Sequence, residues 1–330
     1  MKKGRIILGQ DFKGLEKLLK PYKSIYVVHD LNVLDFTEEV RAACGHRLKG
    51  TLGIKADENL KTMDTVMEIA DWLLSQGADR DALVLTVGGG FTSDVAGFAA
   101  CIYKRGVAYA NIPTTLLAQV DAAIGGKTGV NRKALKNMIG VIVQPAFTYI
   151  CPKALETLPA REFNSGAAEM LKTFLISDAL LYERAVKALS AKYTEDLPSL
   201  ILAAAKIKSI IVKADPFEHG GRRRLNFGHT YGHAIEWYQH TNQTADPYNH
   251  GEAVAIGMIE AARKSESRRI AKSGLSDKLA ADFIACGLPV TLPCPEDKLE
   301  EAIRQDKKAE GRKLNFVFIK RPGKVKIKKI

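Results

Sequence analysis

The stretch Ala82–Asp94, ALVLTVGGGFTSD, decides the fold. Ala82–Val87 is an uncharged, largely apolar run, as in a strand covered on both faces. Three glycines end it, and Thr92, Ser93 and Asp94 then offer helix-cap chemistry. The stretch therefore reads as strand, tight turn and helix. Upstream, Ile6–Leu8 and Ser24–His29 read as strands, and residues 13–20 and 35–44 carry helical patterns. Residues 60–76 place Leu60, Met63, Val66, Met67, Ile69, Ala70 and Leu73 at helical spacing before Gly77. Downstream, Val107–Ile112 is another apolar run. Strands alternating with helices imply βαβ units and a parallel sheet.

After about residue 150 the pattern changes to helices, near 161–176, 178–190, 197–213, 226–239 and 250–272. KLNFVFIKRPGKVKIKK at the end reads as two short strands around a Pro-Gly turn. The expectation is an α/β protein. A Rossmann-like parallel-sheet domain over 1–150 precedes a mostly α-helical domain over 151–330 with a small C-terminal β-hairpin. The cleft between the two is the expected site.

The 330 residues are 46% hydrophobic and 26% charged, which excludes bulk disorder. The longest stretches without a charge, Gly106–Val120 and Asn137–Pro152, are short and contain proline, so no membrane span is expected. The start, MKKGRIILGQDF, does not read as a signal peptide. Five cysteines without a CxxC pair read as reduced thiols of a cytoplasmic protein. The net charge of +12 hints at nucleic acid. Residues 301–330, however, hold 11 Lys+Arg and 3 Asp+Glu, a net of +8, leaving +4 for the other 300 residues. Only Phe316 and Phe318 interleave those charges, so no nucleic-acid partner is expected.

Four motifs carry chemistry. In VGGGFTSD, Val87–Asp94, glycines let a backbone approach a ligand, and the helix start offers N–H groups to a pyrophosphate. A ligand-free turn would use the same glycines, and the GxGxxG fingerprint is absent. In Asn111–Asn131, threonines, Asp121, Gly125-Gly126 and Lys127 suit phosphate or sugar hydroxyls, although the P-loop spacing fails. His229 and His233 in NFGHTYGH lie four apart on one helix face, His250 opens HGEAVAIGM, and Glu169 sits in GAAEMLK three residues before Lys172. Two histidines and a carboxylate from separate helices can hold a divalent metal with an open position, but spacing alone does not separate His229 from His233. Lastly, Arg105, Lys127, Lys136, Lys172, Lys208, Arg222 and Lys307-Lys308 could converge on an anion.

GGGFTSDVAGFAACIYKRG, IPTTLLAQVDAAIGGKTGVN, KNMIG, GAAEMLK, RRRLNFGHTYGHAIE, HGEAVAIGM and DKKAEG, in this order, resemble the 3-dehydroquinate synthase family of the sugar phosphate cyclase superfamily. The resemblance implies an enzyme of the shikimate pathway and aromatic amino acid biosynthesis. It would convert 3-deoxy-D-arabino-heptulosonate 7-phosphate to 3-dehydroquinate and phosphate. The implied course is transient oxidation by NAD, phosphate β-elimination, re-reduction and intramolecular aldol closure. Zinc, or cobalt or another divalent ion, would be held by Glu169, His229 and His250. NAD would meet Asp30, Asn32, Glu58, Lys61, Gly89, Gly90, Asp94, Thr114, Thr115, Asp121, Lys127, Lys136 and Thr157. Substrate and phosphate would meet Arg105, Asp121, Lys127, Asn137, Lys172, Lys208, Glu218, Arg222, Asn226, His233 and one of Lys307 and Lys308. In the family the match to Arg105 reaches in from a neighbouring subunit, which implies a homodimer. The family pattern DExExGLR here reads Asp215-Pro216-Phe217-Glu218-His219-Gly220-Gly221-Arg222, keeping the last glutamate and the arginine. Alternatives are a sister cyclase acting on another sugar phosphate and a metal-dependent polyol dehydrogenase. The phosphate-type cations count against the second.

Overall fold

A computed structural model gives the fold and describes residues 4–133, 135–191, 194–295, 297–303 and 315–330. The chain divides into two compact units, Met1–Pro159 and Ala160–Ile330.

The first unit contains strands β1 (Arg5–Leu8), β2 (Ile25–Asp30), β3 (Leu48–Ile54), β4 (Leu83–Gly88) and β5 (Ala108–Pro113). β6 (Lys127–Arg132) and β7 (Leu135–Ile142) form a separate antiparallel hairpin, and β8 (Phe147–Ile150) returns to the main sheet. That sheet is parallel, in the order β1-β8-β5-β4-β2-β3. Helices α1 (Leu15–Leu19), α2 (Leu34–Cys44), α3 (Met63–Ser75) and α4 (Gly90–Ile102) cover it. β2 and β4 are buried along their whole length, which explains why their sequences are largely apolar, with His29, Asp30 and Thr86 as the buried polar exceptions. Successive residues point to opposite faces. Val28 and Val84 pack with Val66, Ile69, Val95 and Ala99, while Val27 and Leu85 pack with Leu15, Leu19, Phe36 and Val40.

The second unit contains α5 (Ala160–Leu175), α6 (Ala179–Ser190), α7 (Leu197–Ala214), α8 (His229–Thr241), α9 (His250–Ser267) and α10 (Leu275–Ala285). A terminal hairpin, β9 (Asn315–Arg321) with β10 (Lys324–Lys329), completes it. α9 is its spine: Gly251 and Ala253–Ala262 are buried, with α5, α8 and α10 packed against it.

Several boundaries differ from the sequence expectation for local reasons. α3 starts at Met63 because Thr62 caps it, accepting from the Thr65 amide. α8 starts at His229 because Gly228 is left-handed, at φ +82°. α9 stops at Ser267, and Arg269 has a positive φ of 54°. β3, the β6–β7 hairpin, β8 and α10 go beyond the elements read from sequence.

Candidate active site

In the first unit the strand order reverses at β2 and β4, since β3 lies on one side of that pair and β5 on the other. Ligands of open α/β sheets bind beyond the carboxyl ends of the strands at such a switch point. Asp30 ends β2, Gly88–Gly90 end β4 and open α4, and Thr114 and Thr115 follow β5. The Thr114 amide donates to the Gly88 carbonyl at 2.9 Å, joining the β4 and β5 ends. The glycines let the turn pack closely: a Cβ on Gly89 would lie a tight 3.0 Å from the Thr115 methyl, and one on Gly90 3.1 Å from the Ala122 methyl. Asp30 Oδ1 accepts from both the backbone and side-chain nitrogens of Asn32, each at 3.0 Å. Asn32 and Thr157 line the same cleft of about 300 Å³.

A second polar group forms beside α4. Lys61, 6% exposed, donates to Asp94 Oδ2 and to Asn137 Oδ1, each at 2.7 Å. Asn131 Oδ1 accepts from the Asn137 amide, and Asn131 Nδ2 donates to Glu58. The β6–β7 hairpin thus brings Glu58, Lys61, Asp94 and Asn137 together. Asn137, assigned by resemblance to the substrate side, sits here among cofactor-side positions. Asn131 was not singled out from sequence, although it ends the second quoted motif. Lys136 is exposed beside Asn137, Lys127 opens β6, and Asp121 lies on the π-helical turn Ala118–Ala122. Arg105 is exposed beyond the C-terminal end of α4, thirteen residues long, so it stands apart from the Gly89–Gly90 turn.

In the second unit three helices converge. Glu169 comes from the middle of α5, and His229 and His250 are the first residues of α8 and α9. Close packing brings them together: a Cβ on Gly251 would collide with the Ser165 backbone on α5, and one on Gly257 with the Gly228 carbonyl. Asn249 and Glu252 form a capping box at the start of α9, and Arg161 grips Glu252 with Nε and NH2.

Glu169 is fully buried. The Lys172 ammonium pairs with its Oε2, while Nε2 of His229 and of His250 lie 3.7 and 3.6 Å from its Oε1. Neither carboxylate oxygen has a hydrogen-bond partner of ordinary geometry. Burial alone would raise the Glu169 carboxyl, but Lys172, His250 and His229 reverse this and hold it well below the usual range. Burial, with the Lys172 charge nearby, holds His229 well below the usual imidazole range, so it is neutral with a lone pair to offer. Burial acts the same way on His250, but Glu169 and Glu236 outweigh it and raise its value. One ligand atom from each of the three lies within 4.8 Å of the others, the one such group among the described residues. A tetrahedral zinc with bonds of about 2.0–2.2 Å sets its ligands roughly 3.3–3.6 Å apart, so the triad fits a divalent cation. His233 stands beside it, its ring centroid 5.3 Å from that of His229.

The remaining positions lie on α5, on α7 and in the segment between α7 and α8. Lys172, Lys208 and Arg222 are buried, at 2%, 8% and 3% exposure. Asp215 accepts from the amides of His219, Gly220 and Arg222, and these bonds hold its carboxyl below the usual range. Arg222 NH1 donates to the Pro216 carbonyl, and Asn226 Nδ2 donates to Glu218 Oε1 at 2.7 Å. The sequence points to this loop's Glu218, Arg222 and Asn226, whereas Asp215 enters it only as the first residue of the family pattern, with no role; the structure shows it gathering the loop. Glu236 was missed; its signal was its place at the end of RRRLNFGHTYGHAIE, seven residues after His229. Lys307 and Lys308 lie outside the described residues.

The 3-dehydroquinate synthase N-terminal family model matches residues 51–165, and the 3-dehydroquinate synthase C-terminal model matches residues 166–309. The 3-dehydroquinate synthase of Acidithiobacillus ferrooxidans is 41% identical over 306 residues, 91% of this chain and 83% of that protein. That of Geotalea uraniireducens is 42% identical over 272 residues, 81% of this chain and 74% of that protein. Among solved structures, ValA, the 2-epi-5-epi-valiolone synthase of Streptomyces hygroscopicus subsp. jinggangensis with NAD+ and Zn2+ bound, is similar over 100% of this chain and 93% of its own. Its TM-score is 0.89 and its identity 27%. With both family models matched in sequence over most of its length, the chain belongs to the 3-dehydroquinate synthase family.

Proposed function

We propose that the protein is itself a 3-dehydroquinate synthase, a phosphate lyase that converts 3-deoxy-D-arabino-heptulosonate 7-phosphate to 3-dehydroquinate and phosphate. The observation that carries this is the Glu169–His229–His250 triad, in a chain 41% identical to synthases over most of its length. NAD and a divalent cation, zinc or cobalt, are its cofactors; a structural relative carries NAD+ and Zn2+. The first domain, 1–150, binds NAD, and the second, 151–330, binds the metal and substrate. When bound, NAD supplies a reversible hydride acceptor and the cation a Lewis acid for substrate hydroxyls.

The chain's own residues bind and position. Glu169, His229 and His250 hold the cation. Asp30, Asn32, Gly89, Gly90, Thr114, Thr115 and Thr157, at the strand ends, hold the dinucleotide with Glu58, Lys61, Asp94, Asp121, Lys127 and Lys136. Lys172, Lys208 and Arg222 are buried cations, so an anion gains more from them than from solvated ones. They meet the substrate and its phosphate with Asn137, Glu218, Asn226 and His233, and stabilise charge as phosphate leaves. Arg105, distant from the glycine turn of its own unit, serves the site of a second copy, which makes the enzyme a homodimer. Lys307 or Lys308 completes the phosphate site. The enzyme works in the cytoplasm; among the described residues no helix is long and apolar enough to cross a membrane.

The likeness to ValA favours a sister cyclase as the second reading. The test is incubation with the heptulosonate phosphate, NAD and zinc. Phosphate and 3-dehydroquinate form with no net NADH. Accumulating NADH would identify a dehydrogenase, and turnover of another sugar phosphate alone would identify a sister cyclase.

A further inference from the structure

The two histidines of the triad differ in what stands behind them. Both turn Nε2 toward Glu169 Oε1. A metal-binding imidazole is oriented by what its other nitrogen meets. Nδ1 of His229 lies 3.3 Å from the Phe227 carbonyl oxygen, in the turn that leads into its own helix. Nδ1 of His250 instead faces a carboxylate, Glu236 Oε1, at 3.5 Å. Glu236 follows His229 by seven residues, two turns along the same face of α8. α8 therefore delivers one member of the triad and, two turns later, a carboxylate behind a member that belongs to another helix. Glu236 is 14% exposed and His250 35%, so the pair is partly shielded from water.

We propose that Glu236 is a positioning residue of the metal centre: its carboxylate accepts the Nδ1–H of His250, fixes the tautomer with the Nε2 lone pair free, and holds the ring toward Glu169. This rests on the metal reading above. It also accounts for a difference in kind between the two histidines. A carbonyl orients a ring, whereas a carboxylate also makes the ligand more basic and adds a negative charge to a site that already holds the Lys172 cation.

The experiment measures Zn2+ affinity of the full chain by competition with a chromophoric chelator, so activity is not the readout. The parent, Glu236→Ala and Glu236→Gln are compared, with folding checked by circular dichroism. Glu236→Ala is expected to weaken zinc binding about 10–100-fold. Glu236→Gln keeps an acceptor oxygen for Nδ1–H but loses the charge, so it is expected to bind zinc more tightly than Glu236→Ala and less tightly than the parent, a graded order that packing alone, which Gln supplies as well as Glu, would not produce. Glu236→Ala binding zinc as tightly as the parent overturns the proposal, and so does Glu236→Gln as weak as Glu236→Ala. If Glu236→Ala does not fold, Glu236→Asp, which withdraws the carboxylate by one methylene, carries the same test. A parent chain that binds no zinc overturns the metal reading itself, and that result is seen before any variant is compared.

Discussion

Glu169 and His250 face each other across the triad, yet they stand on different footings. Glu169 is inaccessible to water and pairs with Lys172, itself 2% exposed. His250 opens α9 and is 35% exposed. Replacing either should empty the metal site, because each contributes one of three ligand atoms. The stability costs should differ. Glu169→Ala leaves a buried ammonium without its carboxylate, a defect of about 3–5 kcal/mol. His250→Ala removes a partly exposed first-turn side chain where alanine is a good helix former, so its cost should be the smaller of the two. Zinc per chain by atomic absorption and urea midpoints separate the two effects. Zinc-replete His250→Ala, or equal destabilisation by both variants, would refute this account.

The helices place these groups, and glycines set how closely the helices approach. Gly251→Ala should overpack the α5–α9 contact at the Ser165 backbone by about 1–3 kcal/mol. It also pushes His250 away from Glu169, so zinc affinity should fall although no ligand has changed. Unaltered zinc binding in a destabilised variant would show that the contact serves only the fold. The same features mark what was legible in the sequence. Wholly buried β2 and β4 stand out as apolar runs, and α3 and the helices α5 to α9 by their helical patterns. β3, LKGTLGI, is an edge strand with two glycines and only Ile54 fully buried, so it lacks that signal. The β6–β7 hairpin resembles a glycine-rich phosphate loop. Its Gly129 and Gly140 face each other across the ladder, where a Cβ on either would collide with the opposite backbone. At the site, the spacing of His229 and His233 is the same in any helix. Only the approach of α5 and α9 separates the residue facing Glu169 from its neighbour.

At the scale of the whole chain, two distributions matter more than their totals. Much of the net charge of +12 lies near the C-terminus, where Lys324, Lys326 and Lys328 alternate with Val325 and Ile327 along β10. Exposed lysines on an edge strand discourage strand addition, a structural use of charge that needs no polyanion. Four of the cysteines, Cys44, Cys151, Cys286 and Cys294, are buried free thiols, two in each unit. Burial pushes the Cys44 and Cys286 thiols up to about 12 and Cys151 up to about 11. Burial likewise lifts the Tyr149 phenol to about 12. An unfolded chain releases these thiol protons near pH 8.5 and phenol protons near pH 10, whereas the folded chain keeps them longer. Above those values the unfolded state binds fewer protons, so stability must fall as pH rises. The contribution is complete below about pH 8.5 and is lost progressively toward pH 12. Urea midpoints should therefore decline from pH 8.5 to 11. Replacing Cys44 and Cys286 with alanine should flatten that decline even though it lowers the midpoint at pH 7. An equally steep decline in the doubly substituted protein would assign alkaline lability to other groups.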